Sequence, residues 1–277
     1  EIMQGRSYIH IQKTGSGKSL IFEMASLVLD GVVIVLVPLN ALIANHAASA
    51  AAKRIPFFSY NSDSEPTQLK GIQAQLAARE HLVEKLFLIT PERMLSADFR
   101  TTVLDPLYEQ NQIALFVFDE IHVASGWGKD FRPNCRNADF RTAYARVPCL
   151  MLTASATEAT IRDVQQQFGM KEATVFRGYV NRANIDYTVI GTLQLTGSKE
   201  RHIVQYLLST YKQPVCGIVY VLRVDDTVEI ADMLNEELGN AGWKVAAYNA
   251  KLPTEQKTQV REEWLAGRIH IVASTTA

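Results

Sequence analysis

The residue types best suited to chemistry form a short segment, residues 12–19, which reads QKTGSGKS. Its glycines allow successive backbone N–H groups to turn inward around phosphate oxygens. Lys18 would reach the β- and γ-phosphates of a nucleotide, and the Ser19 hydroxyl would hold Mg²⁺. A strand-like run precedes the segment and a helical pattern follows it, so the positive end of that helix faces the same anion. The segment therefore predicts an ATP-binding phosphate loop made of Thr14, Gly15, Ser16, Gly17, Lys18 and Ser19.

A second candidate site is an acidic pair that follows a strand. The apolar run at residues 113–118 continues directly into the sequence DEIH at residues 119–122. Ligands of open parallel sheets bind beyond the carboxyl ends of the strands, which would put Asp119 beside the phosphate loop as a second Mg²⁺ ligand. Glu120 is placed to orient or deprotonate the attacking water. His122 has two interpretations, a coupling role or a neutral histidine packed in a loop. The predicted catalytic residues are Lys18, Asp119, Glu120 and His122.

Hydroxyl side chains follow another predicted strand, within residues 152–157. Because they stand at alternate positions, they could bridge the acidic site to a neighbouring domain. Alternatively, Thr157 caps the helix that begins at Glu158, and the residue types alone favour this second interpretation.

These candidate sites require a frame of alternating strands and helices, and the sequence supplies it twice, restarting at about residue 185. Continuous apolar strands that alternate with helices favour a parallel sheet covered on both faces. The predicted strands are residues 8–11, 32–37, 86–89, 113–118, 149–152, 187–190, 215–221, 245–248 and 269–272. The helical patterns are at residues 18–29, 41–53, 68–85, 158–168, 199–211, 226–238 and 254–266. We therefore expect an α/β fold with two domains, residues 1–184 and 185–277.

Composition limits the classes of protein to which the chain can belong. Its 277 residues, 47% of them hydrophobic, suffice for two domains with a core each. The net charge of −1 argues against nucleic-acid binding through a broad basic surface and leaves a local groove or aromatic stacking. No apolar run approaches the roughly 18–20 residues of a membrane span. The three cysteines lack metal-type spacing, so neither zinc nor a disulfide framework is expected, and a reducing interior is indicated.

The order of these motifs, ending in a second α/β unit, resembles that of the superfamily 2 helicases. The segment after the acidic pair, VASGWGKDFRP at residues 123–133, resembles the aromatic-rich loop of the RecQ family. In that family the loop senses single-stranded DNA and signals to the ATP site. The resemblance implies that Trp127, Phe131 and Arg132 contact DNA, and stacking on unpaired bases requires such an aromatic pair with an arginine. The alternative is that the two aromatic side chains pack beneath a loop.

Other segments resemble the RecQ family in order along essentially the whole chain. Residues 37–42 and 90–93 resemble two family segments that touch the DNA backbone, and residues 182–185 resemble the entry to the second helicase domain. The implied DNA contacts are Pro38, Leu39, Asn40, Thr90 and Pro91. The resemblance also implies tandem RecA-like domains, a helicase ATP-binding domain at 1–184 and a helicase C-terminal domain at 185–277 that is incomplete at its C-terminus.

The activity implied by the resemblance is that of a 3′→5′ DNA helicase. Such an enzyme couples Mg-ATP hydrolysis to stepping along single-stranded DNA and to duplex unwinding. The cofactors would be ATP and Mg²⁺, and the partner single-stranded or partly duplex DNA. The location would be intracellular, and nuclear in a eukaryote, with no membrane association and no zinc.

The chain departs from the family at several positions, and the departures bear on activity. Gly126 and His46 both stand where a glutamine is usual, and Gln12 replaces the first glycine of the strict phosphate-loop pattern. The adenine-reading motif would precede Glu1, and the sixth motif with its arginine finger would follow Ala277, so we expect this chain to bind Mg-ATP but hydrolyse it slowly. The alternative is a catalytically impaired remnant that acts only as an ATP- or nucleic-acid-binding module. A P-loop kinase or transporter ATPase fits less well, because neither needs the second α/β unit.

Overall fold

Two parallel sheets form the frame of the molecule. The computed structural model describes residues 2–61, 64, 66–122, 140, 142–191 and 198–275. The chain divides into two compact units, Glu1–Ile185 and Asp186–Ala277, each with its own sheet. Within the described ranges, no helix is long and apolar enough to cross a bilayer. The assignment of the two units to the ATP-binding and C-terminal domains of a helicase stays a prediction.

The sheet of the first unit contains seven parallel strands among the residues that the structure describes. They are β1 (Tyr8–Ile11), β2 (Val32–Leu36), β3 (Phe57–Tyr60), β4 (Leu86–Ile89), β5 (Ile113–Phe118), β6 (Cys149–Thr153) and β7 (Thr174–Arg177). Their order across the sheet is β3-β4-β2-β5-β6-β1-β7. As a result, β6 lies between β5 and β1, the two strands that lead into the candidate acidic and phosphate-loop segments.

The central strands are continuous apolar runs because both of their faces are buried. Along β2, Val32, Ile34 and Leu36 belong to the core cluster on one face of the sheet. Val33 and Val35 belong to the cluster on the other face. Alternate side chains of a strand point to opposite faces, so five consecutive apolar residues contribute to two cores at once.

Helices supply the opposite walls of both cores. The longer helices of the first unit are α1 (Lys18–Val28), α2 (Asn40–Ala52), α3 (Pro66–Ala77) and α4 (Glu158–Gln167), and the shorter helical segments are Ile2–Gln4, Pro91–Met94, Ala97–Phe99, Arg100–Leu104 and Asp105–Glu109. Phe22 of α1 and Ile43 of α2 pack against one face of the sheet. Ile72 of α3 and Ile161 of α4 pack against the other. The sheet is therefore the middle of three layers.

The second unit is smaller and contains three parallel strands in its described part, in the order β8-β10-β9. Its elements are β8 (Gly217–Tyr220), β9 (Val245–Tyr248), β10 (Ile271–Ser274), α5 (Lys199–Thr210), α6 (Asp226–Leu238) and α7 (Thr254–Leu265), with a 3₁₀ turn at Gly239–Ala241. Its core joins Val204 of α5 and Leu234 of α6 to Trp243 and Ile271. The predicted α/β fold with parallel sheets is confirmed in both units.

The predicted strand at residues 187–190 is wrong, because this segment joins neither sheet. Tyr187 and Val189 are 82% and 94% exposed. Thr188 and Ile190 line a hollow beside α5 and β8. The alternation typical of a strand is thus present, but alternation alone does not provide the neighbouring strand that a ladder of hydrogen bonds requires.

Candidate functional site

The predicted phosphate loop connects β1 to α1. Gly15 and Gly17 have φ angles of +79° and +86°, in the left-handed region that glycine adopts without a steric penalty. The loop is closed by a hydrogen bond from the Ser16 amide to the Lys13 carbonyl oxygen, 3.3 Å long. Thr14 is exposed and Ser19 is half-buried in the first turn of α1. The six predicted loop residues therefore form one continuous turn that ends on a helix N-terminus.

Two polar groups of the loop are oriented toward its interior. Lys18 is buried, and its Nζ donates hydrogen bonds to the carbonyl oxygens of Gln12 (3.1 Å) and Lys13 (3.4 Å). The hydroxyl oxygen of Ser16 is buried, and within the described part of the chain it has no hydrogen-bond partner. Buried polar groups normally have a partner, so a buried hydroxyl without one indicates a place for a ligand acceptor. An anionic phosphate oxygen fits both the ammonium and the hydroxyl.

Asp119 follows β5 and is buried. Its Oδ1 accepts a hydrogen bond from the Glu120 amide (3.1 Å), and its Oδ2 lies 2.9 Å from Nε2 of His46 on α2. Glu120 has a φ angle of +48°, which is uncommon for a residue with a side chain. Such backbone strain costs about 1–3 kcal/mol and persists where the surrounding contacts impose it, often at active sites.

His122 contacts both the acidic pair and the next strand. Its Nδ1 lies 3.2 Å from Oε2 of Glu120 and 2.9 Å from the hydroxyl oxygen of Thr153 at the end of β6. The Thr153 carbonyl oxygen in turn accepts a hydrogen bond from the Gln12 amide of the phosphate loop (3.1 Å). Thr153 thus links the loop to the acidic segment, as expected from a strand that lies between β5 and β1. A coupling role for His122 stays a prediction.

The hydroxyls of Thr153 and Thr157 have different roles. The Thr157 hydroxyl accepts a hydrogen bond from the Thr160 amide and caps α4, which confirms the capping interpretation for that residue. Thr153, by contrast, connects the phosphate loop to the acidic segment, and it lies at the end of β6, earlier in the same hydroxyl-rich segment. The sequence alone did not separate the two, because both are threonines that follow apolar residues.

The residues predicted to contact the DNA backbone lie at the ends of two neighbouring strands. β2 and β4 are paired, and the Val37 amide donates to the Ile89 carbonyl oxygen just beyond them (2.9 Å). A groove of about 450 Å³ opens there, and its lining residues are Pro38, Leu39, Asn40, Thr90, Glu92 and Arg93. Pro91, also predicted as a contact, is buried instead. The structure therefore brings four of the five predicted residues to one groove.

The groove contains a cation that the predicted contacts omitted. Arg93 lies with its guanidinium carbon 5.1 Å from the ring centroid of Tyr60, at the end of β3. The stacking holds the planar group at the rim of the groove, where it can meet an anionic backbone. Its sequence signal was its place in the TPER segment, two residues after the predicted contact Pro91. Trp127, Phe131 and Arg132, the predicted base-stacking residues, lie outside the described residues.

His46 is the other residue whose position the motifs did not indicate. It is buried on α2 and contacts Asp119, 73 residues away in the sequence. The sequence showed only that a histidine stands where the resembling family has a glutamine. Its position next to Asp119 depends on how α2 lies across the sheet, which no local pattern reports.

The donor set around the loop fits Mg²⁺. Mg²⁺ is usually held by one or two protein oxygens together with phosphate oxygens and water, rather than by a cage of protein ligands. In the part of the chain that the structure describes, no group of three or more His, Cys, Asp or Glu side chains could hold a metal ion. The Ser19 hydroxyl and the Asp119 carboxylate are hard oxygen ligands of the kind and number that Mg²⁺ with a nucleotide needs.

Comparison with known proteins supports a helicase origin for these features. Residues 1–164 match the family model described as DEAD/DEAH box helicase. This match covers more than half of the 277 residues and includes the phosphate loop, the acidic pair and the groove.

Curated relatives extend the likeness over nearly the whole chain. The Mus musculus protein named ATP-dependent DNA helicase Q5 is 33% identical over 271 residues, which are 95% of this chain and 27% of that protein. The Xenopus laevis RecQ-like DNA helicase BLM is 28% identical over 266 residues, 94% of this chain and 19% of that protein. The chain therefore spans about a quarter or less of the length of these relatives.

A solved structure supports the fold. The Mycobacterium smegmatis helicase Lhr, bound to ssDNA and AMP-PNP, aligns with a TM-score of 0.67 at 19% identity over 99% of this chain and 38% of that chain. At this identity the likeness concerns the fold, which is the predicted pair of RecA-like units. The family match over residues 1–164 shows that the chain belongs to the DEAD/DEAH box helicases, and its sequence is similar to those of RecQ-type DNA helicases.

Proposed function

We propose that the chain is the ATP-hydrolysing core of a RecQ-type DNA helicase, which couples Mg-ATP hydrolysis to 3′→5′ movement along single-stranded DNA. The observation that carries the proposal is the convergence of three strand ends. Hydrogen bonds connect the phosphate loop after β1 to Thr153 at the end of β6, and Thr153 to His122 after β5. His122 Nδ1 in turn lies 3.2 Å from Oε2 of Glu120 in the acidic pair. Phosphoryl transfer to water needs such a combination of phosphate binding, metal binding and water orientation.

Each of the predicted catalytic side chains has a role in this proposal. The Lys18 ammonium neutralises charge on the β- and γ-phosphates, replacing its present bonds to loop carbonyls. Ser19 and Asp119 hold Mg²⁺, which supplies further neutralisation of phosphate charge. Glu120 orients the attacking water and accepts its proton. His122, within reach of both Glu120 and Thr153, fixes the direction of that carboxylate.

The groove after β2 and β4 is the proposed track for the DNA backbone. Its lining contains one guanidinium, that of Arg93, and the carboxylate of Glu92 rather than a broad basic surface, which agrees with the net charge of −1. In the proposal Trp127, Phe131 and Arg132 stack on unpaired bases and report DNA binding to the acidic segment that precedes them. The Lhr structure, which contains ssDNA and a nucleotide, supports a joint binding of both ligands on this fold. A DNA substrate implies an intracellular location, and a nuclear one in a eukaryote.

A second candidate is a module that binds ATP or nucleic acid without turnover. It is favoured by Gly126, which lacks the side chain present at this position in the resembling family, and by residues 185–277, in which we recognise no arginine-finger motif. The cation from a second domain is worth ~10³–10⁵ in rate in related systems. We therefore expect this chain to bind Mg-ATP and to turn it over slowly.

ATP hydrolysis and strand separation distinguish the two candidates. Both should be measured with and without single-stranded DNA, using duplexes with a 3′ or a 5′ tail. We expect slow hydrolysis that DNA stimulates, and unwinding of the 3′-tailed duplex only. Glu120→Gln is the control that should bind Mg-ATP but not hydrolyse it. Binding of Mg-ATP without hydrolysis, both with and without DNA, would support the non-catalytic module, and unwinding of the 5′-tailed duplex alone would contradict the direction.

A further inference from the structure

His46 lies at the candidate Mg²⁺ site but belongs to none of the motifs that predicted it. Its Nε2 is 2.9 Å from Oδ2 of Asp119, and both side chains are buried. An ionised carboxylate can only accept a hydrogen bond, so Nε2 carries the proton in this contact and donates it. Hydrogen bonds to a charged acceptor are shorter and about twice as strong as neutral ones. The contact therefore restricts the orientation of the carboxylate.

The other carboxylate oxygen is also restrained. Oδ1 of Asp119 accepts the Glu120 amide hydrogen at 3.1 Å. One donor thus comes from the backbone of the acidic segment and the other from α2, which lies elsewhere in the sequence. Two donors in different directions fix both the position and the rotation of the carboxylate plane. Lone pairs that remain on the two oxygens point away from these donors and stay available for a cation or its water.

The His46 ring also contacts the helix that begins at the phosphate loop. It packs edge-on against Phe22 of α1, with ring centroids 5.3 Å apart and an interplanar angle of 84°. Phe22 lies one turn beyond Ser19, the other candidate Mg²⁺ ligand. The His46 side chain thus contacts both α1, the helix that carries Ser19, and the Asp119 carboxylate. It therefore lies between the two elements that carry these candidate ligands.

We propose that His46 is a positioning residue that holds the Asp119 carboxylate in the orientation that Mg²⁺ bound to ATP requires. The proposal rests on the function proposed above, because it takes Asp119 and Ser19 as Mg²⁺ ligands. Side chains that hydrogen-bond to metal ligands typically change metal affinity 10–100-fold when removed. A histidine that served packing alone would affect folding but would not affect Mg²⁺ affinity selectively.

Two substitutions separate the hydrogen bond from the packing. His46→Leu keeps an apolar side chain of comparable volume against Phe22 but removes the N–H donor. His46→Gln keeps an N–H donor at a similar distance from the backbone. A third variant, His46→Asn, has the same amide on a side chain one methylene shorter, so it tests whether reach to Asp119 matters.

The measurement is the binding of a fluorescent ATP analogue in EDTA and during titration with Mg²⁺, with thermal unfolding in the absence of nucleotide as the control for folding. For His46→Leu we expect the Mg²⁺ midpoint to rise about tenfold, while affinity in EDTA stays at the wild-type value. His46→Gln should return the midpoint to within about threefold of wild type, and His46→Asn should not. If His46→Leu does not fold, the contrast between the Gln and Asn variants carries the test.

The outcomes also separate this proposal from the one on which it rests. A wild-type chain that binds the analogue equally well with and without Mg²⁺ contradicts the proposed function and this inference together. A Mg²⁺-dependent wild type with an unchanged midpoint in His46→Leu, or with equal midpoints in the Gln and Asn variants, overturns the positioning role alone.

Discussion

The carboxyl ends of the strands are used differently in the two units. In the first unit, the ends of β5 and β6 carry buried Asp119 and Thr153, which contact side chains from other elements. In the second unit, β9 is followed by buried Asn249, whose amide donates to the Thr227 hydroxyl oxygen on α6 (2.7 Å). The strand ends of the first sheet therefore carry hydrogen-bond acceptors beside the phosphate loop, whereas Asn249 after β9 of the second sheet hydrogen-bonds to a helix of its own unit.

The covering of the two sheets accounts for this difference. β2 is packed on both faces, so its strand ends have little freedom to move. On β8, Ile218 and Tyr220 are 45% and 64% exposed beside a hollow of about 490 Å³. Functional groups must be held to within about 0.5 Å, and among the described residues the first sheet, which is packed on both faces, is better suited to give such support. The candidate site thus lies on the sheet that is buried on both faces, although both units have parallel strands.

The largest expected effect comes from breaking each core in turn. Phe116→Ala removes a fully buried ring from the first sheet, and Leu234→Ala removes a fully buried side chain from the core of the second unit. Each should lower the stability of its own unit, by about 3–5 and 2–5 kcal/mol. Phe116→Ala should also weaken nucleotide binding, whereas Leu234→Ala should leave it within about twofold of wild type.

Hydrogen exchange resolved along the chain, combined with a nucleotide titration, checks this pair. The proposed difference, that the first unit alone supports the nucleotide site, would be contradicted if Leu234→Ala abolished nucleotide binding while the amides of residues 1–185 stayed protected from exchange. In that case the first unit would not support its site by itself.

The next largest effect concerns the phosphate loop. Lys18→Ala removes the buried ammonium, and we expect the affinity for Mg-ATP to fall about 10–100-fold, because hydrogen bonds to charged groups contribute about 1.5–3 kcal/mol. The matched control is Lys70→Ala, which removes an exposed lysine from α3 of the same unit. Equilibrium titration with a fluorescent nucleotide measures both. Equal affinities for the two variants would show that the loop is a glycine-rich turn without a nucleotide function.

A smaller effect is expected in the groove. Arg93→Ala removes the guanidinium that stacks on Tyr60, and binding of single-stranded DNA should weaken several-fold. The dependence of log affinity on log salt should also become shallower by about one ion, since one phosphate contact is lost. Fluorescence anisotropy of a labelled oligonucleotide at several salt concentrations measures both quantities. An unchanged salt slope would place the DNA backbone elsewhere.

The smallest effect is expected at an exposed ion pair beyond β9. Lys251 donates to Asp225 (2.9 Å) and holds the pKa of that carboxyl below its usual range. Any stabilisation is therefore present above the ordinary aspartate pKa of about 3.9 and is lost as the pH falls through the lowered value. Exposed pairs contribute little, so Lys251→Ala should not change the melting temperature resolvably at pH 7 or pH 3. A decrease of several degrees confined to pH 7 would show that this end of the second sheet is more constrained than its exposure indicates.

Long apolar runs made the frame predictable from the sequence. The strand predicted at residues 113–118 matches β5, and the one at 32–37 differs from β2 by a single residue. β3 and β7 escaped prediction because FFSY and TVFR are short and mixed, and β7 is exposed along its length. The helix predicted at residues 68–85 ends at Ala77, because the chain turns at Arg79, with a φ angle of +55°, to enter β4.

The candidate site was predictable only where its chemistry is local. The phosphate loop consists of consecutive residues, and so does the acidic pair. The types and order of these residues could therefore be read directly from the sequence. The contacts of His46 with Asp119 and of His122 with Thr153 join separate elements. They depend on how α2 packs against the sheet and on where β6 lies in the strand order. Neither the spacing nor the types of these residues indicate that arrangement.

The most direct test of the account is nucleotide binding by the two units expressed separately. Residues 1–185 and residues 186–277 should each be titrated with Mg-ATP and compared with the whole chain, after circular dichroism has shown that they fold. We expect residues 1–185 to bind Mg-ATP within a few-fold of the whole chain and to lose binding on Lys18→Ala, and we expect residues 186–277 not to bind it. A folded 1–185 unit that binds no nucleotide would contradict the account.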